Sequence, residues 1–187
     1  MTQDKPEERR LIVAGFGGQG VLTIGRLLCV AAMKEGKLVT YLPAYGGEVR
    51  GGTANCQVVI SPGAIFSPVV EAADCLIILN QLSYERFSHR LRSDGLMLVN
   101  SSGVDLDEAP PPQDGARLVA VPAAEKAAQM GDLRAGNMIM LGAFVALSDL
   151  VRMESCRLAL RQTFTGPKAS LLDLNLEALQ AGAQMGA

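Results

Sequence analysis

Glycine is the residue type whose spacing in this chain could do chemistry. Gly15-Phe16-Gly17-Gly18-Gln19-Gly20 is a literal G-x-G-x-x-G, set between the apolar runs "LIVAG" and "VLTIG". Glycines so placed permit a tight turn, let backbone approach a pyrophosphate, and pack a helix closely on a strand. A dinucleotide fold also needs a carboxylate at the end of its second strand to hold a ribose. Here that stretch reads Tyr41-Leu42-Pro43-Ala44, without Asp or Glu and without an Arg suited to a 2′-phosphate. Glu35 belongs to the preceding helix end and is badly placed for that task. The nicotinamide or flavin reading therefore lacks its anchor. A more general one survives: Gly17, Gly18, Gln19 and Gly20 would leave N–H groups uncovered at a helix N-terminus, where an anion or a carbonyl is welcome. A tight strand–helix turn with no ligand is the alternative.

A second stretch, "PAYGGEVRGGTANC", places Glu48 and Arg50 between Gly46-Gly47 and Gly51-Gly52. Backbone bracketed by glycine can pass very close to a neighbour. Arg50 could fork onto a carboxylate or phosphate. Alternatively Glu48 and Arg50 pair with each other across a turn, an exposed contact contributing about 0–1 kcal/mol. We read Glu48, Arg50, Gly51 and Gly52 as a contact segment.

Other chemistry-bearing residues read as structural. Cysteines 29, 56, 75 and 156 have no C-x-x-C spacing and lie in apolar contexts, so neither an iron–sulfur ligand set nor a zinc ribbon is written here. They are expected as buried thiols. His89, the only histidine, falls on the polar side of a predicted helix with Arg86 and Arg90 and reads as solvated. Asn137 opens the "NMIMLGA" helix and reads first as an N-cap, second as a ligand contact. No Ser, His and acidic set suggests a hydrolase.

The elements that must position these residues follow from composition and pattern. The 187 residues are 49% hydrophobic, 19% charged and 4% aromatic with no Trp, which dictates an aliphatic core. That charged share is below the usual ~25%, consistent with a partner-covered surface or with central strands buried on both faces. A net charge of −2 offers no basic footprint for nucleic acid. The charged N-terminus and the short apolar runs predict no signal peptide and no membrane span, hence a cytoplasmic protein.

Residues 1–9 are expected as a flexible N-terminus ahead of one domain over 10–187. Arg10–Gly15 reads as a strand, and Gly20 to about Lys34 as a helix with Val21, Ile24, Leu28, Ala31 and Ala32 on one face and Gly36 past its end. Leu38–Leu42 is a second strand, and Pro43–Gly52 is expected to be irregular. "TANCQVVIS" alternates like a half-exposed strand, antiparallel or at an edge, because no helix precedes it. Ser67-Pro68 is expected to open a short helix. "CLIILN", "GLMLVN" and "ARLVAVP" read as strands, Gln81–Leu91 and Ala123–Met130 as helices, 101–115 as a loop, and the chain from Asn137 onward as helical. The whole reads as an α/β fold: a Rossmann-like mixed, mostly parallel sheet with helices on both faces and a helical C-terminal segment.

In that order, "GFGGQGV", "PAYGGEVRGGTANCQVVIS", "NMIMLGA" and "LLDLNLEALQAG" resemble the gamma subunit of 2-oxoacid:ferredoxin oxidoreductases of the pyruvate, 2-oxoglutarate, branched-chain 2-oxoacid and indolepyruvate type. The resemblance spans about residues 10–182. It implies an assembly in which thiamine diphosphate attacks the oxo carbon, CO2 leaves, electrons pass through iron–sulfur clusters to ferredoxin, and the acyl group ends on coenzyme A. The G-D-G thiamine motif is missing here, since Asp94-Gly95 follows Ser93 and Asp114-Gly115 follows Gln113. The resemblance thus implies that thiamine diphosphate, magnesium and the clusters belong to alpha, beta and ferredoxin-like delta subunits, with no cofactor held firmly by this chain. It also implies a place near the coenzyme A path, which would suit amides at Gly17–Gly20 and a cation at Arg50. A homodimer of the isolated chain is one option that the sequence leaves open. A stand-alone Rossmann-like protein binding NAD(P), FAD or coenzyme A remains the alternative.

Overall fold

The structure is a computed structural model that describes residues 8–46 and 52–186. Its centre is a six-stranded sheet in the order β2-β3-β1-β4-β5-β6. β1 spans Arg9–Phe16, β2 Leu38–Tyr45, β3 Thr53–Ser61, β4 Ala73–Ile78, β5 Leu91–Asn100 and β6 Arg117–Val121. β1, β4, β5 and β6 run parallel, while β3 pairs antiparallel with both β1 and β2.

The apolar run of β1 explains its place at the centre: Leu11 and Val13 enter one core and Ile12 and Ala14 the other. A strand buried on both faces must be apolar throughout. The larger core is covered by α1 (Val21–Lys34), α3 (Ala123–Gln129), α4 (Gly136–Ser148) and α5 (Met153–Thr163), with α6 (Leu172–Gly186) packed on α4. The second core is closed by α2 (Gln81–Phe87) through Tyr84 and Phe87, together with loop residues such as Val70 and Val104.

α1 ends as its glycine dictates. Gly36 takes φ +76, its N–H reaches the Met33 carbonyl, and the Lys37 N–H reaches that of Ala32, so two end carbonyls are satisfied. Glu35 accepts the Arg152 N–H at 2.6 Å and pairs with Lys37 at 3.0 Å, tying the end of α1 to the start of α5.

Several expectations are corrected. Pro43, Ala44 and Tyr45 continue β2 rather than opening an irregular segment, because they pair with Cys56, Asn55 and Ala54. Pro is tolerated there since β2 is the edge strand. β3 is antiparallel as expected, but it is interior rather than at the edge and mostly buried, because β2 and β1 flank it and the N–H of loop residue Val70 reaches Gln57. No helix forms at Ser67-Pro68: the Val69 and Val70 carbonyls accept from Arg10 and Arg90 instead of from a following helical turn. The helix after Asn80 stops at Phe87, since a 3-10 turn over Ser88–Arg90 delivers Leu91 into β5. No helix among the described residues is long and apolar enough to cross a membrane.

Candidate functional site

The glycine turn joins β1 to α1 at the carboxyl ends of the parallel strands, where open α/β sheets bind ligands. Gly18 takes φ +94 and Gly20 φ +79, backbone that side-chain-bearing residues rarely adopt. The Gly17 N–H donates to the Gly52 carbonyl at 2.9 Å and the Gln19 N–H to the Phe16 carbonyl at 3.2 Å. The expectation of a fully uncovered turn is therefore corrected: those two amides are used internally. Gly18 and Gly20 retain N–H groups without a partner among the described residues, at the start of a 14-residue helix.

The side-chain oxygen of Gln19 is also used within the fold. Its Oε1 accepts from the Phe16 N–H at 2.6 Å and from Asn80 Nδ2 at 3.3 Å. Asn80 in turn caps α2 by accepting the Ser83 N–H at 2.8 Å, and Asn100 Oδ1 accepts the Ala123 N–H at 3.2 Å. These amides form a buried brace across the ends of β1, β4 and β5. Residue-by-residue reading passes over the brace, although "CLIILN" and "GLMLVN" both close on Asn, the one polar residue of each run.

Asn137 is not an N-cap. α4 begins at Gly136, directly after a 3-10 turn over Leu133–Ala135, and Ala135 occupies the cap position without a side-chain bond. A helix that grows out of a preceding turn has no free N–H for Asn137 to receive. Its side chain instead lies against the glycine turn: a Cβ on Gly20 would stand 2.7 Å from Asn137 Cγ, and Asn137 Oδ1 is buried without a partner. Gly17, Gly18, Gln19, Gly20, Gly52 and Asn137 are thus brought together. Glu48, Arg50 and Gly51 lie outside the described residues.

Two cavities flank this turn. One of about 110 Å³ reaches Gly18, Gln19, Asn100 and Asn137 over the ends of the strands. The other, of about 590 Å³, opens between the start of α1, the end of β2 and the start of α6, within the size range of small-molecule sites. Tyr41 forms an apolar wall there, its hydroxyl being spent on the Leu22 carbonyl at 3.2 Å, and burial first among several causes pushes it up to about 12. Arg134 clasps Asp132 with bonds of 2.6 to 3.1 Å, holding that carboxyl down at about 2.

A dinucleotide fits poorly. β3 is inserted between β1 and β2, so the end of β2, where a ribose carboxylate would stand, is one strand removed from the glycine turn. The Gly52 carbonyl also occupies the Gly17 amide that a pyrophosphate would need. His89 is exposed, and all four cysteines are buried, with burial pushing each thiol up to about 12. Among the described residues no cluster of His, Cys, Asp or Glu could hold a metal ion.

The family model described as pyruvate ferredoxin/flavodoxin oxidoreductase matches residues 10–185. Ketoisovalerate oxidoreductase subunit VorA of Methanothermobacter marburgensis is 43% identical over 183 residues, covering 96% of this chain. The chain spans only 37% of that relative's length. 2-Oxoglutarate synthase subunit KorC of Methanocaldococcus jannaschii is 31% identical over 154 residues, 81% of each protein. The crystal structure of the gamma subunit of a keto/oxoacid ferredoxin oxidoreductase from Geobacter sulfurreducens superposes with a TM-score of 0.80 at 28% identity, over 95% of this chain and 98% of that one.

Proposed function

Because this chain belongs to the pyruvate ferredoxin/flavodoxin oxidoreductase family, we propose that it is the gamma subunit of a 2-oxoacid:ferredoxin oxidoreductase. In that assembly a 2-oxoacid loses CO2, two electrons pass to ferredoxin, and the acyl group is transferred to the thiol of coenzyme A. Thiamine diphosphate with its magnesium, and the iron–sulfur clusters, sit in alpha, beta and ferredoxin-like delta partners. A cytoplasmic location is part of the proposal, and cell fractionation tests it.

The observation that carries this reading is the nearly full-length match, both to the family model and to a solved gamma subunit of similar size. The chain's own chemistry agrees with an accessory role. The glycine turn spends much of its polarity on internal bracing and keeps the Gly18 and Gly20 amides at the head of α1, suited to an anionic group of coenzyme A. Glu48, Arg50 and Gly51 lie in sequence between β2 and β3, and β3 begins with Thr53 and Ala54 paired to Phe16 and Gly15 beside that turn; Arg50 is part of the proposed contact.

Coexpression with the alpha and beta subunits of the same organism, followed by size exclusion, tests the reading. The chain is expected to co-elute with them. An alpha–beta assembly that forms without it and leaves it in a separate peak would remove the proposal.

A further inference from the structure

The amino ends of the parallel strands, at the other end of the sheet from the glycine turn, carry an aromatic side chain that the fold leaves in water. Phe66 is 95% exposed, the most exposed large apolar residue among the described residues. It lies in a run without charge, Ser61 to Val70, in which Pro62, Gly63, Ala64, Pro68 and Val69 are exposed as well. The backbone on both sides of it is fixed. Ile65 packs on the second core, the Val69 carbonyl accepts from Arg10 at 2.7 Å, and the Val70 N–H donates to Gln57 at 2.6 Å. Phe66 is therefore a braced knob. An apolar patch of this kind, rimmed by charged residues, has the anatomy of a protein interface.

The occupant follows from what stands beside the knob. Phe66 borders a groove of about 740 Å³ that runs past Ala64 to Asp74, Arg92 and Asp94 at the starts of β4 and β5. A knob next to a groove on one face is an arrangement that a two-fold axis closes, each copy's knob entering the other's groove. The charges agree. Glu8 pairs with Arg10, and Arg92 stands 3.5 Å from both Asp74 and Asp94, so acids and bases alternate around the groove. A strongly acidic or basic partner gains little from such a rim, whereas a rim of both signs complements a copy of itself.

We propose that Phe66 and this groove form an isologous contact through which two copies of this chain dimerise. The contact is at the opposite end of the sheet from the glycine turn, so both faces can be occupied at once. It concerns the chain alone and does not rest on the subunit assignment above. The patch is small, which puts the dimer among transient interfaces, with about micromolar affinity.

Sedimentation velocity of the full chain over a concentration series tests the proposal, and a monomer–dimer equilibrium is expected. Phe66→Ser should raise the dissociation constant about tenfold or more with Tm unchanged, because the ring is spread in solvent in the single chain. Ala64→Arg, at another exposed position on the groove, should weaken the dimer similarly by filling the groove while keeping the knob. An equal mixture of the two variants should dimerise more strongly than either alone, because one of the two symmetric contacts is then whole. A monomer at every concentration, a dimer indifferent to both substitutions, or a mixture no better than its parts would overturn the inference. So would a Phe66→Ser chain that dimerises normally but no longer co-elutes with the alpha and beta subunits, which would give the patch to them.

Discussion

Gly20 and Asn137, far apart in sequence, meet at the site: the space a side chain on Gly20 would fill is already held by the Asn137 amide. The left-handed backbone at Gly20 and the tertiary contact therefore impose the same residue for two reasons. Gly18 differs, since its φ of +94 demands glycine while nothing lies within 4 Å of its missing Cβ. Gly20→Ala should cost about 2 kcal/mol or more, and Gly18→Ala about 1–2 kcal/mol from backbone strain alone. In urea denaturation, Gly20→Ala/Asn137→Ala should recover the steric share of the Gly20 loss and leave the backbone share. Full additivity of the two single changes would show that the contact carries no energy.

The C-terminal helix is held by close backbone approach. A Cβ on Gly182 would come within 2.7 Å of the Ile139 carbonyl carbon, and one on Gly142 within 2.8 Å of that of Leu179. Backbone cannot move aside as a flexible side chain can. Gly182→Ala is expected to displace α6 at a cost of about 3 kcal/mol, at the upper end of overpacking effects. Hydrogen exchange should then show α6 losing protection while β1 and β4 keep theirs. Unchanged α6 protection would mean that α4 and α6 do not pack as described.

Glu35 supplies a pH-dependent contribution. Burial pushes its carboxyl up, but the Arg152 N–H, Lys37 and Ser155 pull it down further, so the net direction is below the ordinary carboxylate value. A carboxyl lowered in the folded state stabilises fully above its unfolded value near about 4.3 and loses that contribution as pH falls through the lower folded value. Glu35→Gln should therefore cost about 1.5–3 kcal/mol at neutral pH and progressively less in acid. A stability gap that stays constant from neutral pH into the acid range would contradict this account of the α1–α5 tie.

The four buried thiols should be nearly inert. With each pushed up to about 12 by burial, thiolate is scarce at neutral pH and access is blocked. A disulfide-exchange reagent should label the native chain slowly and all four sites rapidly in denaturant. Fast native labelling of even one cysteine would show a local opening of the core that holds it.

Features fixed by neighbours in sequence were legible without coordinates: the glycine turn, the periodic face of α1, the Gly36 stop and the apolar parallel strands. Features fixed by distant partners were not. "TANCQVVIS" looks half-exposed because Thr53, Asn55 and Gln57 are polar, and the burial of Asn55 and partial cover of Gln57 depend on where β2 and the loop at Val70 come to lie. Ser67-Pro68 has the residues of a helix start, but Arg10 and Arg90 take the carbonyls a helix would use. Asn137 has the right type for a cap, yet the preceding 3-10 turn moves the helix start to Gly136.

Reconstitution measures the central claim most directly. The alpha, beta and ferredoxin-like subunits are assayed, with and without this chain, for ferredoxin reduction that requires both a 2-oxoacid and coenzyme A. We predict full activity only when the chain is present. Equal activity without it, or reduction of NAD(P) by the purified chain alone, would contradict its assignment as the gamma subunit.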